Sequence, residues 1–162
     1  MKTKNEFYTL IDDIINNKEF LKLNDIGHHG ITRLDHSLRV AEYTYKVTRF
    51  MGLNYSEATR AALLHDFFID EVKDKNSLER LREHPKFALE NAKKYFSLTA
   101  REEDIIIKHM FPITFRAPKY IESWIVDFCD DIAAIYERIF STRWKLVSNY
   151  NFVILVIIGM LK

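Results

Sequence analysis

Residues 35–50 read DHSLRVAEYTYKVTRF, and in them His36, Val40, Tyr43, Val47 and Phe50 follow one another at spacings of four, three, four and three. That is the repeat of one face of an α-helix, so the stretch is predicted to be a helix on which His36 continues an otherwise apolar stripe and points inward. Gly52 ends this helix. In the next one Ala58, Ala61, Ala62 and His65 share a face, with Ser56 as a candidate cap, and the small alanines permit close helix packing. Upstream, a first amphipathic helix runs to about Phe20, and residues 24–30 (NDIGHHG) form a glycine-punctuated loop holding His28 and His29.

The downstream half reads the same way. Residues 70–76 (DEVKDKN) form an exposed polar connection, and Pro85 suits the first turn of a helix running to about Phe96. Thr99 and Glu102 form a Thr-x-x-Glu capping box, opening a helix with Ile105, Ile106 and His109 that Pro112 halts. A last helix, from about Lys119 to Phe140, is expected to bury Ile121, Trp124, Ile125, Phe128, Ile132, Ile135 and Ile139. It nevertheless carries Asp127, Asp130 and Asp131, and a buried carboxylate must be neutralised, paired or bound to a cation.

Composition narrows the class. The 162 residues are expected to form one domain, 1–162, with its motif-bearing core at about 30–140. Only four Gly and three Pro interrupt the chain, which favours long helices, and repeats or linkers are not evident. With 24 Lys and Arg against 23 Asp and Glu, the net charge of +1 gives no reason to expect nucleic acid or a membrane surface held by charge alone. The single Cys129 cannot form an intrachain disulfide, and residues 1–20 lack an unbroken apolar core of signal-peptide type; both point to the cytoplasm. Residues 152–161 (FVILVIIGML) are apolar throughout, about half the roughly 20 residues of a membrane span. They read as a terminal segment covering the core or a homodimer partner, with membrane-surface attachment as the other reading.

A lone inward histidine is ordinarily a hydrogen-bonded core residue. Here His36, the adjacent His65 and Asp66, and an acidic centre near Asp130 all fall at core-facing or semi-buried helical positions. Imidazole and carboxylate donors without thiolate suit Fe, Mn, Co, Ni or Zn, with Mg less favoured. Asp127, one turn before Asp130, is the competing acid, and Asp131 is read as a paired core carboxylate.

Three segments, residues 35–43 (DHSLRVAEY), 61–67 (AALLHDF) and 126–133 (VDFCDDIA), resemble the successive H, HD and D motifs of HD-domain metal-dependent phosphohydrolases. The resemblance implies an all-α fold, a single-domain HD-type helical bundle with a central metal site. It places metal ligands at His36, His65, Asp66 and Asp130, and the two-metal branch adds His84 and His109, with Asp66 bridging. One or two divalent ions would then serve a hydrolase that attacks a nucleotide or related small phosphorylated substrate with metal-held hydroxide. His65, Asp66 and Lys108 are assigned to catalysis, and Arg33, Arg116 and Lys119 to substrate phosphate. Ile69 departs from the Lys that cyclic-dinucleotide phosphodiesterases carry three residues after the HD aspartate, which speaks against that substrate. A diiron oxygenase of the same superfamily and a non-catalytic nucleotide- or metal-binding module remain open.

Overall fold

In a computed structural model of the chain, the described residues are 2–28, 31–69, 71 and 75–160, with side chains described for 6–27, 31–69, 71 and 75–140. Seven helices occur among them: α1 (Lys2–Ile15), α2 (Lys18–Leu21), α3 (Arg33–Phe50), α4 (Tyr55–Leu64), α5 (Ser77–Tyr95), α6 (Ala100–Lys108) and α7 (Ile121–Met160). A short hairpin of two-residue strands, β1 (Gly27–His28) against β2 (Ile31–Thr32), precedes α3, and its first strand falls within the expected loop. The fold is an all-α bundle in which α3, α4, α6 and α7 pack around the centre, with α1 against α4 and α5 against α6.

The helix starts are written in side chains. The Thr32 hydroxyl accepts from Asp35 N and opens α3, and Thr99 and Glu102 complete the capping box of α6. At Gly52, φ of +68° turns the chain out of α3 with no side chain to strain it. The cap of α4 is Asn54 rather than Ser56, since its side chain accepts from Glu57 N. Asn17 likewise caps α2, which breaks the expected first helix at Ile15.

Two expectations are corrected further along the chain. Pro85 lies in the interior of α5, because Asn76 caps that helix two turns earlier. The first two turns of α5 carry Glu79, Arg80, Arg82 and Glu83, and their two leucines, Leu78 and Leu81, are exposed. In α7, Ile121, Trp124, Phe128, Ile132, Ile135 and Ile139 face outward and Ile125 is half-buried; the buried positions are Glu122, Ser123, Val126, Cys129, Ala133 and Glu137. Asp131 is exposed as well. The helix is turned so that Asp130 meets the histidine of α3, and an apolar stripe on the opposite side follows from that.

The core joins Ile11, Ile14 and Phe20 to Val40, Leu63, Leu64, Phe67, Ile105 and Ile106, all of them at most 1% exposed. Ala58, Ala61 and Ala62 are wholly buried, as their close packing against α3 and α6 demands. No helix among the described residues is long and apolar enough to cross a membrane. The backbone of α7 is helical through Met160, so the apolar 152–161 segment is helical up to that point; its side chains lie outside the described residues, as do His29 and the side chain of His28.

Candidate metal centre

Five helices each deliver a polar group to one buried place. His36 comes from the first turn of α3, His84 from the middle of α5 and Asp130 from α7, while His65 and His109 sit at the residues that close α4 and α6. All four histidines are 6% exposed or less, and Asp66, next to His65, is 5% exposed.

Each imidazole has its Nδ1 against an acceptor. His36 Nδ1 is 2.9 Å from Glu137 Oε2, His65 Nδ1 2.7 Å from the Ala62 carbonyl, His84 Nδ1 2.9 Å from the Arg80 carbonyl and His109 Nδ1 2.8 Å from the Ile106 carbonyl. A carbonyl or an ionised carboxylate only accepts, so every Nδ1 carries a proton and donates it. All four Nε2 atoms are left to face the interior.

There they meet one another and two carboxylates. Asp130 Oδ1 is 2.8 Å from His36 Nε2 and 3.6 Å from His65 Nε2, and Asp66 Oδ1 is 3.3 Å from His84 Nε2 and 3.9 Å from His109 Nε2. The Nε2 atoms of His84 and His109 stand 2.8 Å apart. Three sets of donor atoms lie within 4.8 Å of one another: His36, His65 and Asp66; His65, His109 and Asp130; and Asp66, His84 and His109. Asp66 belongs to the first and third, so one carboxylate links the two ends of the cluster.

The electrostatics are uneven. Burial works against a charge on His36, but the flanking Asp130 and Glu137 carboxylates overcome it and raise its pKa to about 10. His109 goes the other way, pushed down to about 3 by burial and by the neighbouring His65 and His84. His84 is also lowered, chiefly by burial. Burial opposes ionisation of Asp130, yet His65 and His36 hold its carboxyl well below the usual range. The competing Asp127 is half-buried and driven up to about 7 by burial and by the charges of Asp131 and Asp130. Asp130 is thus the acid that shares the cluster with the histidines.

The residues fit a divalent cation. Two neutral imidazoles that both donate from Nδ1 aim lone pairs at each other across 2.8 Å, a repulsive contact that a cation between them would relieve. His65 Nε2 is wholly buried and finds no hydrogen-bond partner among the described residues, its nearest carboxylate oxygen being Asp130 Oδ1 at 3.6 Å, and it belongs to a set of nitrogens and oxygens suited to transition metals.

Around the cluster, the Arg33 guanidinium lies 3.7 Å over the Phe68 ring, donates to the Phe68 carbonyl at 2.5 Å and brings Nε to 3.9 Å from Asp66 Oδ2. Arg33 therefore stands at the edge of the cluster. Of the other cations assigned from sequence, Lys108 Nζ pairs with Asp104 at 2.7 Å, Lys119 is exposed with its ammonium over the Tyr120 ring, and Arg116 lines a separate depression with Arg82 and Lys86. Two supporting residues were not singled out from sequence. Asn91 donates to the Phe67 carbonyl at 3.1 Å, pinning the backbone just after Asp66. Glu137, fully buried, accepts from His36 and pairs with Arg39; its one sequence signal is that it falls seven residues, two helical turns, after Asp130.

Neither a curated protein nor a solved structure matches the chain. A family model does, that of the HD domain, over residues 33–135, an interval that begins at Arg33 and contains all six cluster residues. HD domains are generally metal-dependent phosphohydrolases, and this chain belongs to the HD-domain family.

Proposed function

We propose that the protein is a metal-dependent phosphohydrolase acting on a nucleotide or related small phosphorylated substrate, with His36, His65, Asp66, His84, His109 and Asp130 as the ligands of two divalent ions and Asp66 between them. The observation that carries this reading is the convergence of four Nε2 atoms, each on a ring whose Nδ1 is held by an outward acceptor. Four core histidines with a merely structural role would not all turn the same nitrogen into one polar cluster.

Divalent ions in such a site lower the pKa of water and neutralise phosphoryl oxygens as charge develops. The chain's own groups do the rest. The Nδ1 acceptors fix the tautomer and orientation of each imidazole, so that the cage is set before any ligand arrives. The Arg33 guanidinium is held flat against Phe68 beside Asp66; its fixed planar charge suits the oxygens of a phosphoryl group at the cage edge. Lys108, Arg116 and Lys119 would contact substrate only by leaving their present surroundings, which makes Arg33 the principal phosphate partner. The mixed nitrogen and oxygen set favours Fe, Mn, Co, Ni or Zn over Mg.

The test is metal analysis of the purified protein together with a phosphate-release screen over nucleotides, dinucleoside polyphosphates and phosphate monoesters. His65→Ala and Asp66→Ala should each lose metal and turnover while the far-ultraviolet circular dichroism stays helical. Wild-type turnover in either variant refutes the assignment.

A further inference from the structure

We infer that the outer face of α7 is the interface of a homodimer, in which a second copy of this chain lays its own α7 antiparallel on the first. The evidence is a seam of apolar residues that the fold leaves uncovered. Ile121, Ile125, Phe128, Ile132, Ile135 and Ile139 recur at spacings of four, three, four, three and four, the a and d repeat of a coiled coil with Ile at each a position. Ser123, Asp130 and Glu137 occupy the f positions of that register and point into the bundle. Because f lies opposite the a/d seam, turning Asp130 toward the histidines necessarily turns the seam toward solvent.

The uncovered area is that of a dimer interface. Phe128 is 64% exposed and Ile135 and Ile139 are each 60% exposed. At roughly 200 Å² for a large side chain, the exposed parts of the seam and of the flanking Trp124 and Tyr136 total roughly 750 Å². The largest apolar patch on an ordinary monomer is about 300–600 Å², whereas each partner in a standard interface contributes about 800 Å². An apolar groove of about 490 Å³ between α3 and α7, floored by Tyr43, Val47 and Cys129, extends the same surface.

Charge selects a second copy and its direction. Asp131 and Arg138 border the seam at equivalent g positions, one heptad apart. In an antiparallel pair that stacks Ile132 on the partner's Ile135 and Phe128 on the partner's Ile139, Asp131 comes beside the partner's Arg138, and the two-fold axis repeats the pair. The surface is complementary to itself, as an isologous contact requires.

Analytical ultracentrifugation of the full chain tests this directly. The expected mass is twice 19.3 kDa. The variant F128E/I135E should weaken the dimer at least about 100-fold, because it sets charges of one sign into a dry seam, with helical circular dichroism unchanged. Ile139→Lys, at a position just as exposed, serves as a second probe should the double variant not fold. Phe50→Glu, on α3 and 92% exposed, should leave the dimer intact. The inference is overturned by a wild-type chain that stays monomeric at every soluble concentration, including one that instead binds lipid vesicles. A dimer that survives both seam variants while they remain folded, or one that Phe50→Glu dissociates equally, overturns it too.

Discussion

Replacing Glu137 probes a member of the centre that touches a proposed ligand without being one. Its carboxylate is buried, with Oε2 at 2.9 Å from His36 Nδ1 and Oε1 paired with Arg39. Glu137→Gln preserves size and an accepting oxygen but removes the charge that makes the imidazole a better donor to a cation; a neutral acceptor supplies about half the strength of an ionised one. Loss of such a partner costs about 10- to 100-fold in metal affinity, or roughly 1.4 to 2.8 kcal/mol. Gln, still able to orient the ring, should fall near the tenfold end, and Glu137→Ala, which leaves Nδ1 with no acceptor, near the hundredfold end. Competition of the protein with a chromophoric chelator measures both, with circular dichroism as the check on folding and Asp131→Asn, an exposed acid on the same helix, as the control. Wild-type affinity in a folded Glu137→Ala protein, or a larger loss in Gln than in Ala, would refute the reasoning.

Other substitutions probe the frame that holds the centre. Asp104 ties α6 to the start of α7 by accepting from Lys119 N at 2.9 Å and Ser123 Oγ at 2.7 Å while pairing with Lys108. Burial opposes its ionisation, but those partners hold its pKa below the ordinary 3.8, so the stability it adds is present above that value and is lost as pH falls through the lower folded one. Asp104→Asn should cost about 1.5–3 kcal/mol at pH 7 and much less in strong acid; urea titrations showing the same cost at both would contradict the account. Thr99→Ala removes one half of the α6 capping box and should cost about 1 kcal/mol, seen as a Tm drop of roughly 2–4 °C; an unchanged Tm counts against it. Ala61→Leu forces three extra carbons into a wholly buried contact and should cost about 1–3 kcal/mol in chemical denaturation, a loss that would be missing if α4 had room beside it.

Which parts of this protein can be read from its residues depends on whether the signal is local. The capping box at Thr99 and the glycine stop at Gly52 are decided within four residues, and both stand in the structure as the sequence implies. The stripe on α3 pointed His36 inward for the same reason, since one helix carries the whole pattern; yet Val47 and Phe50 at its far end lie outside, because neighbouring elements cover only part of that face. The start of α5 was hidden by a charged, exposed turn. Glu137 could not be told from a surface acid, because its partners His36 and Arg39 are about a hundred residues away along the chain. The Nδ1 acceptors of His65, His84 and His109 are backbone carbonyls three or four residues earlier, and carbonyls leave no mark in a sequence at all.

The misjudged face of α7 follows from physics that a hydrophobic pattern omits. An apolar stripe is ordinarily the buried one, and periodicity alone assigns it to the core. In this helix the opposite face carries Asp130 and Glu137, whose burial is tolerable only because His36 lies between them and Arg39 beyond. Turning the helix by half a turn would bury the isoleucines and expose the carboxylates, but it would strip His36 and His65 of the acidic partners that this helix supplies in the middle of the bundle. Unpaired buried polar groups cost about 1–3 kcal/mol each and more when charged, which is comparable with the roughly 1.5–3 kcal/mol gained by fully burying one large apolar side chain. The inward orientation avoids that penalty, and it leaves the apolar gain to be collected by whatever covers the seam. A chain that builds a polar centre on one side of its longest helix therefore exposes a hydrophobic surface on the other, and the catalytic and oligomeric readings of α7 stem from the same seven-residue register.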